Sequence, residues 1–79
     1  MMAKTKYVYI VSNDYDYEGV YVVSVETSAK KAIVVAEENQ AADYTTVMRY
    51  TIGSGSTESK IIAQWKCQHG SRKFKRLAL

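Results

Sequence analysis

Hydrophobic and polar positions alternate along most of this chain, and the alternation marks out its elements. Lys6 to Ser12 reads Lys-Tyr-Val-Tyr-Ile-Val-Ser, a run of β-branched and aromatic residues that predicts a strand. Asn13 to Gly19 is rich in Asn, Asp and Gly and predicts a loop, after which Val20 to Glu26 predicts a second strand. Two strands joined by such a segment most simply pair as an antiparallel hairpin. Thr27 and Ser28 are both good helix N-caps. Beyond them Ala29, Ala32, Ile33 and Ala36 recur at helical spacing, giving a narrow stripe of small residues suited to lying close on a sheet. Val35 widens that stripe, while Lys30, Lys31, Val34, Glu37 and Glu38 fall toward the other side, and the helix is expected to fray over Asn39 to Asp43.

Tyr44 to Ile52 predicts a third strand, and Gly53-Ser54-Gly55-Ser56-Thr57 a turn. Lys60 to Cys67 predicts a fourth, with Ile61, Ala63, Trp65 and Cys67 on one face and Ile62, Gln64 and Lys66 on the other. Gln68 to Ser71 reads as a turn, and Arg72 to Leu77 as either a short fifth edge strand or part of a basic tail over 72–79. The expected fold is one α+β domain over 1–79, in the order β-β-α-β-β with a further β left open. It is a single antiparallel β-sheet of four or five strands with one helix packed on one face.

Composition narrows the picture. At 79 residues the chain makes one domain, and a domain this short is marginal without a staple. One cysteine, Cys67, forms no internal disulfide, and one cysteine with one histidine does not make a four-ligand zinc site. Stability is therefore expected from the apolar core, with a homodimer as the remaining source of support. A hydrophobic content of 47% is too high for a disordered chain of net charge +3. No apolar run approaches the length that spans a bilayer, the first residues lack the apolar stretch of a signal peptide, and a lone free cysteine suits a reducing cytoplasm. The seven tyrosines are many for this length, and tyrosine suits half-buried sheets and binding surfaces alike.

Candidate chemistry is sparse. Asp14-x-Asp16-x-Glu18-Gly19 copies the first half of a calcium-binding EF loop, but Val25 stands where the bidentate glutamate belongs and a strand precedes the loop. No metal or other cofactor is expected. Tyr15 and Tyr17 beside these carboxylates read either as a plain polar loop or as anchors for a basic partner. Cys67 and His69 lack a third group to orient a nucleophile, and no phosphate-binding glycine pattern appears. No catalytic residues are assigned, and the chain is expected not to be an enzyme. Arg72, Lys73, Lys75 and Arg76 around Phe74 read as a solubilising edge or, together with Trp65, as a segment that tracks a phosphate backbone and stacks bases. Lys30, Lys31 and Arg49 offer a second basic surface.

The stretch Ala29-Lys30-Lys31, the helix, and then Thr46-Val47-Met48-Arg49 resembles the ninth type I-F anti-CRISPR family, as does the opening Tyr-Val-Tyr-Ile. The likeness covers about two thirds of the chain. It implies a phage-encoded inhibitor that binds the backbone subunits of a CRISPR surveillance complex, with Lys30, Lys31 and Arg49 as contact residues. The acidic tyrosine loop and the basic C-terminal segment depart from the family pattern. Two functions are therefore expected: an inhibitor of a host defence or nucleoprotein complex, of the type I CRISPR-Cas kind, binding through Tyr15, Tyr17, Lys30, Lys31 and Arg49; or a small nucleic-acid-binding regulator using Trp65, Arg72, Lys73, Phe74, Lys75 and Arg76.

Overall fold

A computed structural model of the chain describes residues 6–15, 17–52, 59–68 and 73–78. The α+β expectation holds: five strands form one open antiparallel sheet, and one helix packs on it. The elements are β1 (Lys6–Tyr15), β2 (Gly19–Glu26), α1 (Ala29–Glu38), β3 (Tyr44–Ile52), β4 (Ser59–Cys67) and β5 (Phe74–Arg76). The order across the sheet is β2-β1-β3-β4-β5. Because β2 and β3 flank β1 and both run against it, α1 carries the chain across β1 and packs on β1, β2 and β3.

The helix begins where Ser28, in extended conformation, caps it by accepting a hydrogen bond from the Lys31 amide on its side-chain oxygen. Ala32 and Ala36 are fully buried, and Ile33 and Val35 pack partly against the core, as the stripe predicts. Small residues at these two positions let the helix backbone approach the sheet, where Val11, Val47, Ala63 and Trp65 complete the buried cluster. The helix has its C-terminal end fastened by a polar network. Thr45 and Asn13, direct cross-strand partners, are both buried. The Thr45 hydroxyl donates to Asn13 Oδ1 at 2.6 Å, the Ala41 amide donates to Thr45 Oγ1 at 3.2 Å, and Asn13 Nδ2 donates to the Asn39 carbonyl at 3.1 Å.

The pairing corrects two expectations and settles one that was open. β1 does not stop at Ser12: Asn13, Asp14 and Tyr15 continue the strand, paired with β2 on one side, and Asn13 and Asp14 with β3 on the other. Asp14 is thus a ladder residue, whose carbonyl accepts from the Asp43 amide, and not the first ligand of a calcium loop. β4 does not alternate cleanly: a bulge between Ile61 and Ala63 leaves Ala63 opposite Val47 but Ile61 opposite Met48. Ile61 therefore lies on the face away from the helix, and Ile62 packs on the core. The C-terminal segment contains a strand, Phe74–Arg76, paired with Trp65–Cys67. The turn expected at 53–57, and residues 69–71 of the turn expected at 68–71, lie outside the described residues. Among the described residues, no helix is long and apolar enough to cross a membrane.

Candidate interaction surfaces

Residues paired across strands point to the same face, so the register assigns each candidate residue to a side and an end. On the helix side, Glu26, Tyr9, Arg49 and Lys60 form one row across β2, β1, β3 and β4. Lys31, in the first helical turn, reaches the end of that row through an ion pair with Glu26, Nζ to Oε1 at 3.7 Å. The Ser24 hydroxyl also bonds the Glu26 carboxylate. Lys31 is 71% exposed, so this pair orients charge without adding much stability. Lys30, its chain neighbour, is exposed. The Arg49 guanidinium lies over the ring of Tyr7, 4.5 Å from its centroid, which holds the cation at a defined position. Arg49, Thr51, Ser59 and Lys60 line a shallow depression of about 330 Å³. Among the described residues, four cations and one carboxylate thus meet around one end of the helix side.

Lys60 was not a candidate in the sequence, because unbroken alternation puts it on the face opposite Ala63. The bulge reverses its direction and sets it beside Arg49. Two like charges directly opposite one another on neighbouring strands repel, so this corner favours an anionic surface against it.

Tyr15 and Tyr17 lie at the other end. Tyr15 lies six residue steps along β1 from Tyr9, about 20 Å at strand rise. Tyr15 is no loop residue: it is half-buried and meets Tyr21 edge-to-face, centroids 5.3 Å apart, across the β1–β2 pair. Tyr17, in the turn, is 100% exposed. These two tyrosines, Glu18 and Asp43 line an open groove of about 410 Å³. The five protein-binding candidates therefore divide into two groups, with Lys30, Lys31 and Arg49 at the basic end and Tyr15 and Tyr17 at the acidic, aromatic end.

The C-terminal candidates do not form one stripe. Arg76 projects to the helix side and lies over the Trp65 ring, 5.4 Å from its centroid, whereas Lys75 projects to the opposite face beside Lys66. Trp65 is only 4% exposed and Phe74 packs against the core. Stacking a base asks for an open ring face; Trp65 is buried, while Phe74 is half-buried with part of its ring against the core. Lys73 is exposed and its carbonyl accepts from the Gln68 amide. Arg72 and His69 lie outside the described residues. Cys67 is half-buried, with its thiol directed at the Gln68 carbonyl 3.8 Å away. Among the described residues, no group of three or more His, Cys, Asp or Glu side chains is placed to hold a metal ion.

Compared with known proteins, the chain matches no family model, no curated protein and no solved structure.

Proposed function

We propose that this chain is a non-enzymatic, phage-encoded inhibitor that works in the host cytoplasm. It docks on a host defence complex of the type I CRISPR-Cas surveillance kind and blocks its binding of target nucleic acid. The observation that carries this reading is the run from Lys31 through Glu26 and Tyr9 to Arg49 and Lys60. The cations that the family resemblance implies as contacts share one end of one face, although they come from a helix and a strand well apart in sequence. A rigid sheet presents them without a deep pocket, as an inhibitor that covers a surface requires. A standard interface asks for about 800 Å² per partner, and clustered exposed charge speeds and orients the encounter.

The alternative, direct nucleic-acid binding through the C-terminal segment, keeps the cations Lys73, Lys75 and Arg76 and the half-buried Phe74, but its second ring, Trp65, is buried. Such binding rests mainly on phosphate contacts and weakens steeply with salt. The two readings separate when nuclease-treated chain is mixed with a purified type I surveillance complex and, in parallel, with naked DNA. Co-elution with the complex that survives moderate salt supports the inhibitor. Binding to DNA alone, abolished by neutralising Lys75 and Arg76, refutes it.

A further inference from the structure

Arg49 and Lys60 are direct register partners on β3 and β4, and the bulge in β4 puts both on the helix side. Like charges directly opposite one another destabilise a strand pair, so the stability of the sheet does not account for this juxtaposition. The Arg49 guanidinium leans toward β1 and lies over the Tyr7 ring, 4.5 Å from its centroid, which carries it away from Lys60. Between the two cations lies the depression of about 330 Å³, lined among the described residues by Arg49, Thr51, Ser59 and Lys60. A water takes about 30 Å³, so the space admits a small ion with part of its hydration shell.

The chemistry of these walls is one-sided. Arg49 and Lys60 are donors only, and Thr51 and Ser59 each bring a hydroxyl that can donate as well as accept. Among the described residues neither cation has an ion pair. Glu26, the carboxylate of the same row, lies two strands from Arg49, about 10 Å at strand spacing, and is engaged by Lys31 and Ser24. A carboxylate would bring two oxygens in one plane and a single charge. A phosphate group brings three or more oxygens in a tetrahedral arrangement and a charge of about −1.5 to −2 at neutral pH. That suits two cations and two hydroxyls contributed by neighbouring strands, and guanidinium is well matched to phosphate oxygens.

We propose that the Arg49–Lys60 corner is a binding site for a phosphate dianion, with both cations and the hydroxyls of Thr51 and Ser59 directed at its oxygens. The chemistry recognised is the terminal phosphate group, whether carried by inorganic phosphate or by a phosphorylated small molecule. Lys60 separates this site from the rest of the basic end: Lys31 is engaged by Glu26, and it and Lys30 belong to the helix, so they supply field and not contact. The site shares its surface with the docking proposed above but does not rest on that reading, because the chain alone holds all four groups.

The test is an NMR titration of the isotope-labelled chain with inorganic phosphate, with a nucleoside monophosphate and with acetate, at neutral pH and constant ionic strength. Saturable shifts centred on Arg49, Thr51, Ser59 and Lys60 are expected with phosphate, with a dissociation constant of about 1 mM, and acetate is expected to bind about tenfold more weakly or worse. Lys60→Gln, at an exposed position, is expected to weaken phosphate binding about tenfold or more, while Lys66→Gln, which removes the same charge from the opposite face, leaves it within about twofold. The amide spectrum reports in the same experiment that each variant is folded. Tighter binding of the nucleoside monophosphate supports the site and assigns its ligand to a phosphorylated small molecule, whereas equal binding supports the site and assigns it to the bare anion. Phosphate shifts no larger than those of acetate, or equal losses in Lys60→Gln and Lys66→Gln, overturn the proposal and leave only diffuse charge. Because no surveillance complex enters the titration, that failure would leave the docking reading standing.

Discussion

Thr45 and Asn13 face each other across β3 and β1, and their 2.6 Å hydrogen bond joins the centre of the sheet to the end of the helix. Thr45 Oγ1 donates to Asn13 and accepts from the Ala41 amide, while Asn13 Nδ2 reaches the Asn39 carbonyl. Thr45→Val keeps the shape of the side chain but strands both an amide and a side-chain carbonyl in a buried setting. Each orphaned group costs about 1–3 kcal/mol. Urea unfolding is expected to show a loss of about 2–4 kcal/mol for Thr45→Val. Thr45→Ser, which keeps the hydroxyl, is expected to lose clearly less.

Ala36 is fully buried between helix and sheet. Ala36→Leu inserts three carbon atoms where the backbone of α1 lies close, and overpacking of this kind costs about 1–3 kcal/mol. In a domain of this size each kcal/mol lowers Tm by about 4–8 °C. Val34, on the exposed side of the same helix, is the control: Val34→Leu is expected to leave Tm within about 2 °C, consistent with the small effect of surface substitutions.

Ala42 sits in the left-handed region at φ 65°, a conformation that costs a non-glycine residue about 1 kcal/mol or more. Ala42→Gly relieves that strain and gives part of the gain back as unfolded-chain entropy. A net stabilisation of about 0.5 kcal/mol is expected by thermal unfolding. A decrease would mean that the Ala42 methyl contributes packing that outweighs the backbone strain.

Trp65 is the chain's single tryptophan and is covered on the helix side by the Arg76 guanidinium. Arg76→Ala removes the cation–π contact and the cover together. Its expected signature is a red shift of tryptophan emission with a stability loss of about 0.5–1 kcal/mol. An unchanged spectrum would show that the ring is shielded without the Arg76 side chain.

Element existence was legible in the residues, and element extent was not. The small-residue stripe of α1 and the β-branched runs of β1 to β4 are local signals, and they lead to the observed order. Asn13-Asp14-Tyr15 reads as a loop locally, yet pairing of Asn13 and Asp14 with Thr45 and Tyr44 draws them into β1, because long-range ladder bonds outweigh local turn preference. The bulge beside Ile62 and the register shift between Val11 and Ser12 have no sequence mark. Each reverses which side of the sheet a residue faces. That is why Lys60 beside Arg49, Ile61 on the open face and Tyr21 against Tyr15 emerge only from the register. Lys31 and Arg49 were singled out as residues, but their shared end of the sheet follows from the Glu26–Tyr9–Arg49 row, which no short-range pattern encodes.

The most direct test of the proposed function is target-DNA binding by a type I surveillance complex titrated with the wild-type chain and with the double variant Lys31→Glu, Arg49→Glu. Both positions are at least partly exposed, so the variant is expected to fold, as circular dichroism will report. The account predicts that the wild-type chain suppresses DNA binding stoichiometrically and that the double variant needs at least a hundredfold higher concentration, about 2.7 kcal/mol. Full DNA binding in the presence of saturating wild-type chain, or equal suppression by the folded double variant, would contradict it.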